Sequence, residues 1–477
     1  MLTATHRYRR PLLFCLSLLL GACSVGPDYV RPTVETPASY KESAGWKQAQ
    51  PADTLLKTTW WELFNDPELN RLEEQVAISN QNIALAAAQY RQARALVEGS
   101  RSALYPTVTI GASGTRSQGS ANVGRVQGGV QSTQSDYQLP ANLSWEIDVW
   151  GRIRRSIESS QAGLQASAAD LAAAQLSVQA ELASDYFQLR SLDAQKEYLD
   201  ETIVYFRKTL DLTNNRYAAG VAARVDVLQA ETQLKSTQAQ MIDLGVQRAQ
   251  LEHAIAVLIG KPASEFALAY LPLRSPPPAI PLGLPSELLE RRPDVASAER
   301  HMASANAQIG IARAAYYPTV RLSASFGLEA SDIAKWLTWP SRFWSVGPAV
   351  SETIYDGGLR KSQNAQALAA YDGSVALYRQ TVLTAFQDVE DNLAALRILA
   401  DESKVQDEAV DAAVKTTQIT LNQYQAGVVS YLSVITAQAA ELANRRAAIT
   451  ILGRRMTAAV QLVKALGGGW DQVTADR

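Results

Sequence analysis

Residues 137–150, YQLPANLSWEIDVW, alternate without a break. Tyr137, Leu139, Ala141, Leu143, Trp145 and Ile147 stand on one side. Gln138, Pro140, Asn142, Ser144, Glu146 and Asp148 stand on the other, all but the proline polar. A period of two predicts a strand with one apolar and one polar face. Tyr105–Gly114 carries the same pattern, with Val108, Ile110 and Ala112 set against Thr107, Thr109 and Ser113. A third strand is predicted at Thr319–Glu329, where Val320, Leu322, Ala324, Phe326 and Leu328 oppose Thr319, Arg321, Ser323, Ser325 and Glu329. A fourth, near 343–355, is weaker because Glu352 breaks the apolar phase.

Elsewhere the period lengthens. From Arg152 to Asn214 there is no proline and a single glycine, Gly163. Apolar residues recur there at sevens: Leu164, Leu171 and Val178, then Leu182 and Leu189, then Leu192, Leu199 and Phe206. Interleaved sevens predict a helix touched on more than one side. Some sixty residues at ~1.5 Å each extend roughly 90 Å, against ~30 Å for the hydrocarbon of a bilayer. No stretch after the first two dozen residues is apolar enough to lie in lipid as a helix, so these helices stand in water.

The chain repeats itself. RYAAGVAARVDVLQAETQL (216–234) returns as QYQAGVVSYLSVITAQAAE (423–441), matching Tyr217 to Tyr424, Gly220 to Gly427 and Val227 to Val434. YPTV occurs at 105–108 and 317–320, and EIDVWGRIR (146–154) is echoed by ETIYDGGLR (352–360). Each half therefore runs helix (67–102; 286–315), two strands, long helix, glycine turn, long helix. The halves, 67–260 and 286–466, are joined by a Pro-rich linker at 261–285, preceded by a segment 23–66 and followed by a tail 467–477. The turns at Ala218–Ala222 and Ala426–Ser430 centre on Gly220 and Gly427, and a turn needing positive φ accounts for both glycines.

Composition removes whole classes of function. The opening MLTATHRYRRPLLFCLSLLLGAC has a basic start and a short apolar run, the form of a secretory signal at 1–22. Its removal takes away Arg7, Arg9 and Arg10, leaving 42 basic against 47 acidic residues, a balance of −5. An acidic, export-bound chain argues against nucleic-acid binding. LLLGAC resembles the lipobox of bacterial lipoproteins, which implies acylation of Cys23; Ser24 after it suggests forwarding to the outer membrane. Cys15 leaves with the signal, so no disulfide or thiolate metal site is expected. His253 and His301 lie in Ala-rich helical surroundings, as packing or surface residues do. HExxH, GxSxG and P-loop patterns are absent. Neither an enzyme nor a cofactor is predicted.

Strands of about ten residues with one lipid-like face are what a membrane barrel needs. Its sheet must close, because no backbone group can stay unpaired in lipid. Four strands cannot close around a polar lumen; ~8 or more are needed, so several chains must contribute to one barrel. Leu139, Leu143, Trp145 and Ile147 are then the lipid-facing residues of the 137–150 strand. A soluble β-layer packed on helices would share the period of two, but leaves the lipobox and the strand pairs without a common cause.

Several segments carry a family resemblance: CSVGPDYVRP, WWELFNDPELNRLEEQVAISNQNI, LSWEIDVWGRIRR, GLPSELLERRPDVASAER and KALGGGW. By these the chain resembles the outer-membrane factors (TolC-like efflux ducts), in the lipoprotein branch that serves resistance-nodulation-division pumps. The resemblance implies a mixed α/β membrane protein: an internally duplicated protomer of four transmembrane strands and very long helices. It implies a homotrimer with a 12-stranded outer-membrane β-barrel and a 12-helix periplasmic α-barrel. It also implies a lipid-anchored passive conduit for drugs or other small molecules, joined to a periplasmic adaptor and an inner-membrane pump. The family constricts its periplasmic tip, which marks Leu432 as an apolar ring, Tyr424 as the tip tyrosine and Asp226 as an acid pairing between helices. Thr436 stands where related ducts often carry an aspartate. The bland alternatives are a packed helix-start leucine at 432 and an acid serving its own helix N-terminus at 226. A protein-secretion exit duct and a structural envelope spacer are the competing functions.

Overall fold

The computed structural model describes residues 24–34, 36–42, 59–120, 133–280 and 291–469. The expected leader and Cys23 lie outside the described residues, as do 43–58, 121–132, 281–290 and 470–477. In chain order the elements are α1 (Pro67–Ser79), α2 (Gln81–Ser102), β1 (Thr107–Ile110), β2 (Ser113–Gln118) and β3 (Thr133–Ile147). Then come α3 (Arg152–Ala218), α4 (Arg224–Leu258), α5 (Pro293–Ala314), β4 (Thr319–Ala330), β5 (Arg342–Ser351), α6 (Leu359–Gln425) and α7 (Tyr431–Ala465). By its contacts the chain divides into two compact units, one drawn from 1–32, 90–167 and 298–378, the other from 33–89, 168–297 and 379–477.

The first unit holds one antiparallel sheet in the order β1–β3–β4–β5, with β2 following β1 along the same edge of β3. The expected strand Tyr105–Gly114 is thus two strands that together reach Gln118. Pro140 causes the gap: its carbonyl accepts from Gly111 at 3.0 Å, but it has no N–H to return to that edge. On the other edge Pro140 faces Gly327, where an added Cβ would sit 2.3 Å from the Leu139 carbonyl. Only glycine allows that approach.

β3 begins four residues before Tyr137 and stops at Ile147, short of the expected Trp150. Asp148 ends it by accepting from the Ile153 and Arg154 amides (3.0 and 2.9 Å), which starts α3. Asp356 does the same for α6, accepting from Gly358 and Arg360 (2.9 and 3.2 Å). β5 closes at Ser351, so Glu352 lies past the strand and its phase stays intact.

The expected helix 67–102 is two helices. Asn80 is extended (φ −67°, ψ 126°). Its side-chain oxygen takes the Asn82 and Ile83 amides, and its amide nitrogen donates to the Leu258 carbonyl at 2.7 Å. A capping asparagine anchored to α4 ends one helix and begins the next. The helix expected over 286–315 is described from Pro293, where proline suits the first turn.

In the second unit a polar cluster straps the linker to α3 and α4. Asp193, fully buried, accepts from Arg248 Nε (2.8 Å), Arg190 Nη1 (3.3 Å) and the Leu271 amide (3.0 Å). Arg248 and Arg190 in turn donate to the Leu268 and Ala269 carbonyls at 2.8 and 2.6 Å. α6 holds the N-terminal segment likewise: Glu390 accepts from the Lys41 and Glu42 amides, and Arg397 pairs with Glu42.

Two buried carboxyls in this unit, Glu73 and Asp185, make stability depend on pH, and burial raises the pKa of both. Burial first, and the Glu181 charge one turn away second, push the Asp185 carboxyl from 3.8 up to about 6. The fold therefore holds this proton more tightly than the unfolded chain does. The stability so gained is complete below about pH 4 and is lost as pH rises through about 6. Asp185→Asn should lessen the fall of the melting temperature across that window and raise it at neutral pH, leaving the part that belongs to Glu73. An unaltered pH profile would show that Asp185 is ionised in the fold throughout.

Candidate functional site

Two features could do work: the sheet of the first unit, and a pair of helical hairpins whose turns belong to the second. The first is the apolar face of the sheet. Register puts Val108 and Ile110 beside Leu143 and Ala141, and Leu139, Leu143, Trp145 and Ile147 beside Leu328, Ala324, Leu322 and Val320. β5 adds Trp344, Val346, Pro348 and Val350 opposite Phe326, Ala324, Leu322 and Val320. From Leu328 to Val320 the band runs eight residue steps, roughly 27 Å along the strand. Leu143 and Ala324 occupy its middle row.

Nothing covers this band among the described residues: Ile110, Phe326, Trp344, Val346 and Val350 are exposed. Aromatic side chains bracket it. At the end that leads into the helices, Trp150 stacks on Tyr317 (centroids 4.9 Å apart) and Tyr105 and Tyr355 are exposed. At the far end Tyr137 meets Trp336 at 6.0 Å. The opposite face is polar, with Ser144 beside Thr107 and Ser323, and Asn142 accepting from Ser325 Oγ at 2.8 Å. The outer edges, β5 and the β1–β2 line, pair with no further strand among the described residues.

The second feature is a pair of helical hairpins. α3–α4 and α6–α7 have helices of 67 and 35 residues each, and every boundary of the second lies 207 residues after its counterpart. Their turns are alike. Gly220 (φ 73°) and Gly427 (φ 78°) are left-handed, and Val221 and Val428 donate back to the Arg216 and Gln423 carbonyls at 2.9 Å. This closing bond pattern satisfies the last helical carbonyls and needs glycine at the turn.

Beside the turns, Tyr424 and Tyr431 pack at 5.2 Å in a cluster with Ala230 and Val434. Burial above all, then Tyr424, Tyr205 and Asp226, push the Tyr431 hydroxyl above its ordinary range, so it stays neutral. Leu432 is 58% exposed, and Thr436, one turn on, is exposed with its hydroxyl donating to the Leu432 carbonyl at 3.0 Å. Asp226 accepts from the Ala223 amide of its own helix start at 3.3 Å, and it forms no ion pair among the described residues. The cross-hairpin link belongs to a residue that sequence reasoning missed. Arg216 lies over the Tyr424 ring, 4.8 Å from its centroid, and donates to the Gln425 carbonyl at 2.9 Å. The second repeat has Gln423 at the equivalent place, and that asymmetry was the available signal.

This architecture has known counterparts. The pattern of the outer membrane efflux protein family matches residues 72–261 and 284–468. The chain belongs to that family. It is an outer-membrane efflux protein and not an enzyme. Outer membrane protein OprJ of Pseudomonas aeruginosa is 30% identical over 460 residues, covering 96% of this chain and 95% of that one. The solvent efflux pump outer membrane protein SrpC of Pseudomonas putida is 31% identical over 458 residues, covering 95% and 97%. Among solved structures, the outer-membrane channel OprN superposes with a TM-score of 0.88 at 31% identity, over 94% of this chain and all of that one. VceC of Vibrio cholerae superposes at 0.80 with 27% identity, over 87% and 100%. This efflux protein thus shares its fold with outer-membrane channels along nearly its whole length.

Proposed function

We propose that three copies of this efflux protein close their sheets into one 12-stranded barrel, continued by a 12-helix duct in the periplasm. The observation that carries this reading is a sheet with an apolar band along one face and two edges that pair with no further strand among the described residues. Such a sheet is unstable in water and in lipid alike until its edges pair with those of other copies. Each copy supplies four strand positions, too few to enclose a polar lumen alone. Both hairpin turns then lie at the periplasmic tip. There Leu432 forms the apolar ring, with Thr436 beside it and Tyr424, Asp226, Gly220 and Gly427 shaping the helix ends. The two repeats, 67–260 and 286–466, form the walls. Segments 23–66, 261–285 and 467–477 form the equatorial band.

The duct is passive. An inner-membrane pump supplies the energy, a periplasmic adaptor joins pump to duct, and the cargo is drugs or other small molecules. The names of SrpC and its toluene-pump relatives support small-molecule cargo. Purified trimer in a planar bilayer should pass current in discrete steps. Insertion without current would leave a spacer and remove the conduit.

Lipid anchoring at Cys23 has a positional argument. The next residue, Ser24, packs against Gly151, and the Val25 amide donates to the Trp150 carbonyl at 3.1 Å. That sets residue 24 beside the aromatic belt at the inner end of the apolar band, where acyl chains on Cys23 enter the same membrane. Cys23→Ala should abolish fatty-acid labelling while trimers still form, because the strands supply their own attachment. Labelling that persists in this variant removes the anchor.

A further inference from the structure

The turn between β4 and β5, residues 331–341, lies at the end of the sheet remote from the helices. It does not arch over the polar face. Trp336 packs on Tyr137, which shares the apolar side with Leu139, so the turn is drawn to that side. Leu337 and Trp339 are 70% and 72% exposed there, beyond the exposed Trp344 of the band.

One cation sits on this apolar side and a second stands in the turn that leads to it. Arg342 pairs with Leu328 in the register, so its side chain emerges on the apolar side, where every other β5 residue of that parity is hydrophobic. Its guanidinium lies over the Trp339 ring at 4.6 Å. Lys335 is exposed in the same turn. Neither forms an ion pair among the described residues. The nearest acid in sequence, Asp332, instead accepts from the Ala334 amide at 3.0 Å. Arg342 Nη1 donates to the Trp339 carbonyl at 3.5 Å, and the other N–H groups of the stacked guanidinium are left to meet an anion. On a face that meets lipid, a cation at the outer rim lays its stem along the apolar surface and puts its charge in the headgroup layer, where anionic headgroups attract it.

We propose that Arg342 and Lys335, framed by Trp339 and Leu337, bind the phosphate of a phosphorylated glycolipid of the outer leaflet. This rests on the reading that the apolar band faces lipid. Trp336, Leu337 and Trp339 extend the band into the turn, so its outer rim falls at headgroup level. Two cations in one turn suit a phosphomonoester, which carries more charge than the diester of a phospholipid.

The test uses the full-length trimer in phosphatidylcholine nanodiscs doped with lipid A, with dephosphorylated lipid A, or with phosphatidylglycerol. The lipid kept on the protein after mild detergent extraction is counted by mass spectrometry. Wild type should retain lipid A over its dephosphorylated form by about tenfold. The pair Lys335→Gln and Arg342→Gln should insert normally and lose that preference. Arg321→Gln, on the polar face, should keep it. Equal retention of both lipid A forms, or an unchanged preference in the double variant, overturns the phosphate site while normal insertion upholds the lipid-facing band. Equal retention of phosphatidylglycerol overturns the glycolipid as the occupant. Failure of wild type to insert overturns the band, and the site with it.

Discussion

Leu143→Arg should remove most of the assembled protein from the outer membrane, whereas Ser144→Arg, one residue on, should leave it nearly intact. Leu143 stands in the middle row of the apolar band, beside Val108 and Ala324, and the row continues to Val346. An arginine at mid-membrane depth costs roughly 2–4 kcal/mol in each copy, and a trimer bears it three times. Ser144 lies on the polar face between Thr107 and Ser323, where a long cation reaches water. Trp145→Arg should fall between the two. It is one row nearer the helix end, and it also loses the bond from its indole nitrogen to the Leu104 carbonyl (2.9 Å). Heat-resistant trimer in outer-membrane fractions is the measurement. Equal losses from all three variants would mean that the faces are assigned wrongly.

Leu432→Asn should raise the single-channel conductance of the isolated trimer several-fold and admit large antibiotics that the outer membrane excludes. Within the protomer Leu432 is mostly exposed, so its side chain is available to a neighbour across a threefold axis. A narrow apolar throat expels water, and an amide in its place wets it. Thr436→Asp should act on selectivity instead, adding a ring of negative charge that favours cations. Conductance at matched salt separates the two effects. A wild-type value in Leu432→Asn would place the constriction elsewhere, with the Arg216–Gln425 link between hairpins the next residue pair to break.

Much of this protein is written locally. Alternation of apolar and polar residues determined which face of each strand is apolar, because side chains in a strand alternate whatever surrounds them. The heptad spacing and the lack of proline determined two long helices per repeat. Gly220 and Gly427 marked both turns, since a left-handed residue is needed there regardless of context. Asn80 could have been recognised as a cap from SNQNI, but helical periodicity on both sides of it masked the break.

Tertiary structure decided the rest. Depth in the band is a matter of register between strands: Leu143 is central only because it aligns with Ala324, 181 positions away in sequence. The gap between β1 and β2 lies opposite a proline on another strand. Arg342 reads as an ordinary strand-start cation until its pairing with Leu328 turns it toward the apolar side. Arg216 is one basic residue near a helix end until packing lays it over Tyr424 of the other repeat. Arg190 reaches Asp193 within one helix, but Arg248 meets it only once α4 packs back along α3, and the Leu271 amide only once the linker crosses both. Local periodicity depends on neighbours a few residues away and is legible in the chain. Partnership between distant residues depends on which surfaces the fold brings together, and only the folded chain decides that.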